Sequence, residues 1–219
     1  MTFDLATAYA SVGPILSVVG TTILITIASC LGAILIGFGL EVARRSGTSA
    51  RTIFQFLIDF LRSTPVLVWL YFMYFVLPHY GVVLPALFVG VLGLSVYFSG
   101  YLAEVFKAGI NAIPPGQWEA AQALGLRRRD TLLWVIAPQM LRNVAAPIGN
   151  YFVSILKATP YLAVIAVPEM LGKAFEIASN TYRYAEPLSI AGGAFLVLAL
   201  VTVQFVKLLE RRLFKPFKR

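Results

Sequence analysis

The chain has 219 residues, 59% hydrophobic and 13% charged, with a mean hydropathy of +0.81. A soluble domain carries about 25% charged residues, so a water-soluble globular enzyme does not fit. The net charge is +8, from 18 Lys and Arg against 10 Asp and Glu; in a soluble protein that excess suggests nucleic acid, and here its placement decides.

Residues 5–40 carry no charge. A membrane-spanning helix needs about 20 apolar residues, and this stretch predicts one from Ile15 to Leu40. Cys30 lies inside it; as the one cysteine it forms no internal disulfide and reads as a packing residue. Residues 63–103 are also uncharged and long enough for two helices. The turn Leu77-Pro78-His79-Tyr80-Gly81 divides them, because proline cannot continue the hydrogen-bond ladder and glycine favours a turn. The predicted helices are Phe54–Leu77 and Pro85–Phe106. A fourth covers Val144–Val167, broken only by Lys157, and a fifth Leu188–Leu208. The runs lack the strict alternation of barrel strands. The expected fold is an all-α membrane protein with five transmembrane helices, residues 1–219 forming one domain without a repeat or linker.

Lys and Arg set the orientation. Arg44, Arg45 and Arg51 follow helix one, and Arg127–Arg129 with Lys107 and Arg142 lie between helices three and four. The tail holds Lys207, Arg211, Arg212, Lys215, Lys218 and Arg219. These segments share one side, so the N-terminus is expected outside and the C-terminus in the cytoplasm. The excess charge then follows the positive-inside rule, and no nucleic acid partner is expected. A signal peptide is not expected, since no basic segment precedes the long first apolar run.

The chain has no GxxxxGK[ST] loop, so it should not hydrolyse ATP itself. With His79 and Cys30 as the single residues of their kinds, no metal or Cys/His site is expected, and no catalytic residue is assigned.

Residues 111–138 form a polar loop too long for a simple connection. Pro114-Pro115-Gly116 stops the preceding helix. Gln117–Leu124 predicts a short helix with Glu119 in its first turn and Gly125 as its C-terminal cap. Asp130 is the expected N-cap of a second helix, Thr131–Ile136. Two short helices on the membrane surface suit docking, with Ala120 and Ala121 keeping the surface low; they equally suit an interfacial anchor.

At this loop the chain resembles a family. Glu119-Ala120-Ala121, three residues, then Gly125, with Pro138 further on, is similar to the EAA loop of permease subunits of ATP-binding-cassette importers. Arg62-Ser63-Thr64-Pro65, the block Ala103–Ile110 and the block Ile113–Ala121 resemble polar amino acid permeases. The likeness continues through Gly149-Asn150 and Lys157. Where the family often has Lys-Asp-Thr-Ser, this chain has Lys157-Ala158-Thr159-Pro160, and Pro160 should kink helix four.

The resemblance implies a type I importer transmembrane domain in the bacterial cytoplasmic (inner) membrane. It implies two cytoplasmic ATPase subunits that hold ATP and Mg, a second permease subunit, identical or homologous, and an external solute-binding protein. This chain itself would bind no cofactor. Glu119, Ala120, Ala121 and Gly125 would couple ATP hydrolysis to transport, and Arg127–Arg129 would meet an acidic ATPase surface or anionic lipid. The implied cargo is a polar amino acid, or a relative such as ectoine or an opine. A self-sufficient secondary transporter or channel is the reading from another class, and an intramembrane enzyme lacks its catalytic groups.

Ionisable groups inside a membrane usually face the bundle interior. Arg62 and Lys157 are therefore substrate-path candidates, with Thr64 and Tyr97. Arg62 also has Asp59 one turn earlier as an ion-pair partner, and Glu104 with Lys107 predicts a local salt bridge. Tyr71, Tyr74, Tyr101 and Trp69 would line a path or form an interface belt. Residues 168–187 predict a short helix over the pore mouth with Leu171, Phe175 and Ala178 on its packed face, as a gate or as a simple lid.

Overall fold

A computed structural model describes residues 3–213, with side chains as far as Leu209. The later part of the basic tail lies outside them. All regular structure among the described residues is helical.

Helix α1 (Leu5–Ser17) starts at Asp4, whose carboxylate accepts the amides of Ala6 at 3.1 Å and Thr7 at 3.3 Å. A break at Val18 separates it from α2 (Val19–Arg44). The first uncharged run thus holds two helices, and the span begins at Val19 instead of Ile15; hydropathy is blind to a break between apolar residues.

The predicted helix Phe54–Leu77 is also two. Helix α3 (Thr48–Ser63) meets the segment Val66–Tyr80, which α4 (Val66–Tyr71) opens, at a bend of 97°. Pro65 is the cause: its ring disfavours helical backbone in the residue before it, and Thr64 is extended, with φ −88° and ψ 131°. A wider turn (Phe72–Val76) and a tight one (Leu77–Tyr80) carry α4 to Gly81, which ends the segment at φ +81°.

Helix α5 (Ala86–Asn111) is the centre of the bundle. Close approach to α2 and α3 depends on small residues. A Cβ on Gly37 of α2 would lie 2.8 Å from the Ser99 carbonyl oxygen of α5, and one on Gly100 would lie 3.1 Å from Leu61 and Arg62 of α3.

The polar loop contains α6 (Pro115–Ala123), a single turn α7 (Arg128–Asp130) and a wide turn over Thr131–Ile136 that runs directly into α8 (Ala137–Ala158). Asp130 is not the expected N-cap: its backbone is helical and its side chain caps nothing, because α7 already supplies the turn before it. Helix four starts earlier than predicted: Pro138 lies in the first turn of α8, where the wide turn joins it, and does not stop the helix. Helix four also ends earlier than Val167: Pro160 does more than kink it, since α8 stops at Ala158 and the chain tightens through Thr159–Ile165 to Ala166, at φ +58°.

Helix α9 (Met170–Thr181) is capped by the fully buried Glu169. Its packed face is Met170, Ala174 and Ala178; of the expected face Ala178 is buried and Leu171 half-buried, whereas Phe175 is exposed. Helix α10 (Ala185–Leu213) follows. Ile15, Met170, Ala174 and Ala191 join α1, α9 and α10 in a second small core beside the main one on α5.

Among the described residues, Val19–Arg44, Ala86–Asn111, the stretch containing α8 and Ala185–Leu209 are long and apolar enough to cross a membrane. The bent pair Thr48–Ser63 and Val66–Tyr80 makes a fifth if it counts as one span.

Candidate functional site

The helix ends near Arg44 and Asn111 form the basic end of the bundle. Arg44 is 5% exposed and Glu41 is 1% exposed. Arg44 Nε donates to Glu41 at 2.8 Å, and the same guanidinium pairs with Glu104 of α5. Its Nη1 also donates to Gln55 of α3 at 2.7 Å. A planar fork with five donors is suited to joining three helices in this way. Arg45 pairs with Glu41 and reaches Asn111 at 2.9 Å. Glu104 does bridge to Lys107, at 3.4 Å, as expected. Its pairing with Arg44, 60 positions earlier, is what the sequence reading missed.

From Gln55 the polar contacts continue along α3. Gln55 Nε2 donates to both Asp59 oxygens at 3.1 Å, and Asp59 lies 3.7 Å from Arg62. The expected Asp59–Arg62 pair is therefore present, at long range and in the open. Arg62 faces the Tyr101 ring, its Cζ 5.5 Å from the centroid, a cation–π distance. The Tyr101 hydroxyl donates to the Arg62 carbonyl at 3.1 Å and lies 3.2 Å from the Tyr97 hydroxyl. Tyr151 of α8 completes the cluster, 5.8 Å from Tyr101 ring to ring.

A cavity of about 410 Å³ opens here, lined by Arg62, Tyr101, Glu104, Asn143, Pro147 and Tyr151, among others. Asn143, Pro147 and Tyr151 recur every four residues and so share one face of α8. That periodicity was readable in the sequence and marks Tyr151 and Asn143. Asn143 is tethered by a 3.0 Å bond from its side-chain amide to the Gly109 carbonyl.

The other path candidates stand apart from this cavity. Thr64 spends its hydroxyl on the Phe60 carbonyl at 2.9 Å. Lys157 is exposed in the last turn of α8, beyond Tyr151, and does not line the cavity. Tyr71 is exposed, and Tyr74 packs partly buried against the main core.

The loop residues expected to couple lie on α6, with Gly125 just past its C-terminal end. Glu119 and Ala120 are exposed, whereas Ala121 is 3% exposed and turned inward. Ala121 thus seats α6 on the bundle and is not part of an outer surface. Gly125 adopts φ +69°. Its amide donates to the Gln122 carbonyl at 2.9 Å, and the Leu126 amide to Ala121 at 3.1 Å. This pair of bonds is a Schellman cap, which places a left-handed glycine after the helix. Gln139 of α8 donates to Gln117 at 2.9 Å and ties the loop to the bundle. Arg127, Arg128 and Arg129 are exposed.

The chain resembles known proteins along nearly its whole length. A probable amino-acid ABC transporter permease protein, y4tG, of Sinorhizobium fredii is 42% identical over 154 residues, 70% of this chain and 67% of that one. The arginine transport system permease protein ArtQ of Bacillus subtilis is 30% identical over 97% of this chain and 98% of its own. The crystal structure of an amino acid ABC transporter with histidines superposes with a TM-score of 0.89 and 32% identity, over 97% of this chain and 100% of that one. The inward-facing MetNI methionine ABC transporter shares the fold at 18% identity, with a TM-score of 0.72, over 94% of this chain and 96% of that one. Residues 33–215 match the family model described as a binding-protein-dependent transport system inner membrane component. The chain belongs to that family and is a permease subunit of an ATP-binding-cassette importer.

Proposed function

We propose that this permease carries a polar amino acid, or a small zwitterion of the same kind, into a bacterial cytoplasm. The observation that supports this most is the cavity between α3, α5 and α8. Arg62 offers a fixed positive charge for a carboxylate, and Tyr101 and Tyr151 offer flat apolar walls with hydroxyl tips. A volume of about 410 Å³ suits a small solute. Relatives named for amino acids, arginine and glutamine among them, point the same way.

In this reading the N-terminus lies outside and the basic end in the cytoplasm. Two permease subunits stand on two ATPase subunits, which hold ATP and Mg, and an external binding protein delivers the cargo. Glu119 and Ala120, exposed on α6, meet the ATPase; Gly125 and Ala121 hold α6 in position to do so.

The test is uptake into proteoliposomes that contain the permease, its cassette subunits and the binding protein. Uptake and cargo-stimulated ATP hydrolysis should appear together and should fail without the cassette subunits. Uptake by the permease alone would instead identify a secondary transporter or channel.

A further inference from the structure

A second groove, of about 1080 Å³, opens at the basic end between the α2–α3 turn and the polar loop. It is separate from the cargo cavity, and α6 contributes Trp118 to its wall but not Glu119 or Ala120. Arg45, Arg51, Lys107 and Arg128 line it, and among the described residues Glu41 is the one acid that does. Glu41 is buried and already bound to Arg44 and Arg45. Arg51 and Arg128 are exposed and form no ion pair among the described residues. The groove is therefore a concentration of positive charge with two arginines at its mouth uncommitted.

Its other wall is apolar. Phe38 and Val42 of α2 are 42% and 52% exposed. The same stripe continues up α2 through Leu35 and Leu31, which are 73% and 57% exposed. From Leu31 to Val42 it runs about 16 Å along the helix, towards the middle of a segment long enough to span. The groove sits where both α2 and α5 end, which is headgroup level for spanning helices. A free phosphate would need the cations and no stripe. An acidic protein surface would need the cations and no apolar track into the bilayer.

We propose that this groove binds an anionic phospholipid, its phosphate held by Arg51 and Arg128 with Arg45 and Lys107 behind, and one acyl chain along Val42, Phe38, Leu35 and Leu31. Basic pockets between helices at the membrane surface recognise anionic headgroups on these physical grounds. The proposal is independent of which cargo is carried.

Trp118 lines the groove and is a built-in reporter. The full chain with Trp69→Phe and Trp134→Phe, in neutral detergent, is titrated with brominated phosphatidylglycerol or brominated phosphatidylcholine. Fluorescence quenching is expected to saturate with the glycerol lipid at about tenfold lower concentration. Arg51→Gln with Arg128→Gln should abolish that preference, and Arg51→Lys with Arg128→Lys should keep most of it, which separates lost charge from lost fold. Equal quenching by both lipids overturns the proposal, as does an undiminished preference in the Gln variant. Displacement of the lipid by millimolar inorganic phosphate would reveal an anion site without lipid specificity. Loss of quenching when the cassette subunits are bound would make the groove a subunit interface. Both of those outcomes also overturn it, and neither bears on transport.

Discussion

Arg44 of α2 and Glu104 of α5 are ion-paired across the packed α2–α5 interface, with the Arg44 side chain 4% exposed. Glu41 shares the same guanidinium, and Gln55 brings α3 to it. Arg44 thus bridges two carboxylates where α2, α3 and α5 converge, with Arg45 and Lys107 as their outer partners. Breaking a buried pair by removing one partner is costly, because the charge left behind has lost its solvent and its partner. Arg44→Met should destabilise the detergent-solubilised chain by about 3–5 kcal/mol. Glu41→Gln with Arg44→Met should recover part of the loss, since one buried charge goes with the arginine. Denaturant unfolding followed by circular dichroism measures both, and equal stability of Arg44→Met and the native chain would refute the account.

The same crossing depends on bare backbone. A Cβ on Gly37 would meet the Ser99 carbonyl oxygen, which cannot move without α5. Gly37→Ala should cost about 1–3 kcal/mol by overpacking. Gly20, on the same helix, has nothing within 4 Å of the equivalent point. Gly20→Ala should be neutral or slightly stabilising, because alanine is the better helix former. Similar unfolding midpoints for the two variants would remove the packing argument.

In the cavity, Arg62 and Tyr151 should matter and Lys157 should not. Arg62→Gln is expected to weaken cargo-dependent uptake by about tenfold, the loss of one charge-assisted contact of roughly 1.4 kcal/mol. Tyr151→Ala should have an effect of similar size by removing a wall of the cavity. Lys157→Gln should change the half-saturating cargo concentration by less than about twofold, since its side chain is exposed outside the cavity. Concentration-dependent uptake in proteoliposomes decides this; a large Lys157 effect would move the path to the far end of α8.

These cases show what a single sequence discloses. The charge-free runs located the membrane segments, because the cost of burying charge in lipid acts residue by residue. Gly125 and Pro160 were legible for a similar reason: a left-handed cap and a missing N–H act within one turn of the residue concerned. The bend at Thr64-Pro65 is present as a proline, but the surrounding apolar run satisfies the length of a span and masks it. The Arg44–Glu104 pair joins positions 60 apart, and no local pattern encodes which carboxylate an arginine will find. A helix four that continues to Val167 puts Lys157 near its middle; with α8 ending at Ala158, it falls in the last turn.

Gly125 offers a test of coupling distinct from stability. At φ +69° an alanine pays for its Cβ by about 1 kcal/mol, and the Schellman bonds from Gly125 and Leu126 should loosen. Helix α6 would then fray at its C-terminal end while the spanning helices stay folded. Gly125→Ala should therefore keep the unfolding midpoint of the bundle nearly unchanged and lower cargo uptake per ATP hydrolysed. Gly125→Asn, which tolerates the left-handed region better, should lie between the two. Unchanged uptake per ATP in Gly125→Ala would show that the cap does not contribute to coupling.

The start of α1 should respond to pH. The Asp4 amide donates to Glu186 Oε1 at 3.0 Å, and Arg183 donates to the same oxygen at 2.6 Å, so this end of α1 is tied to the start of α10. The Thr7 hydroxyl, donating at 2.6 Å, and then the Ala6 amide hold the Asp4 carboxyl below its ordinary value of 3.8. A carboxyl whose folded pKa is depressed contributes fully above its unfolded pKa and loses that contribution as pH falls through the folded value. Protection of the Ala6, Thr7 and Ala8 amides against hydrogen exchange, corrected for intrinsic rates, should be flat from pH 7 to about 5 and should decline below about 4. Asp4→Asn keeps an acceptor oxygen at the cap and should abolish the pH dependence. Asp4→Ala should lose the protection at every pH, because nothing then accepts the two amides. Equal protection of the native chain at pH 3 and pH 6 would show that the Asp4 charge does not hold the helix start.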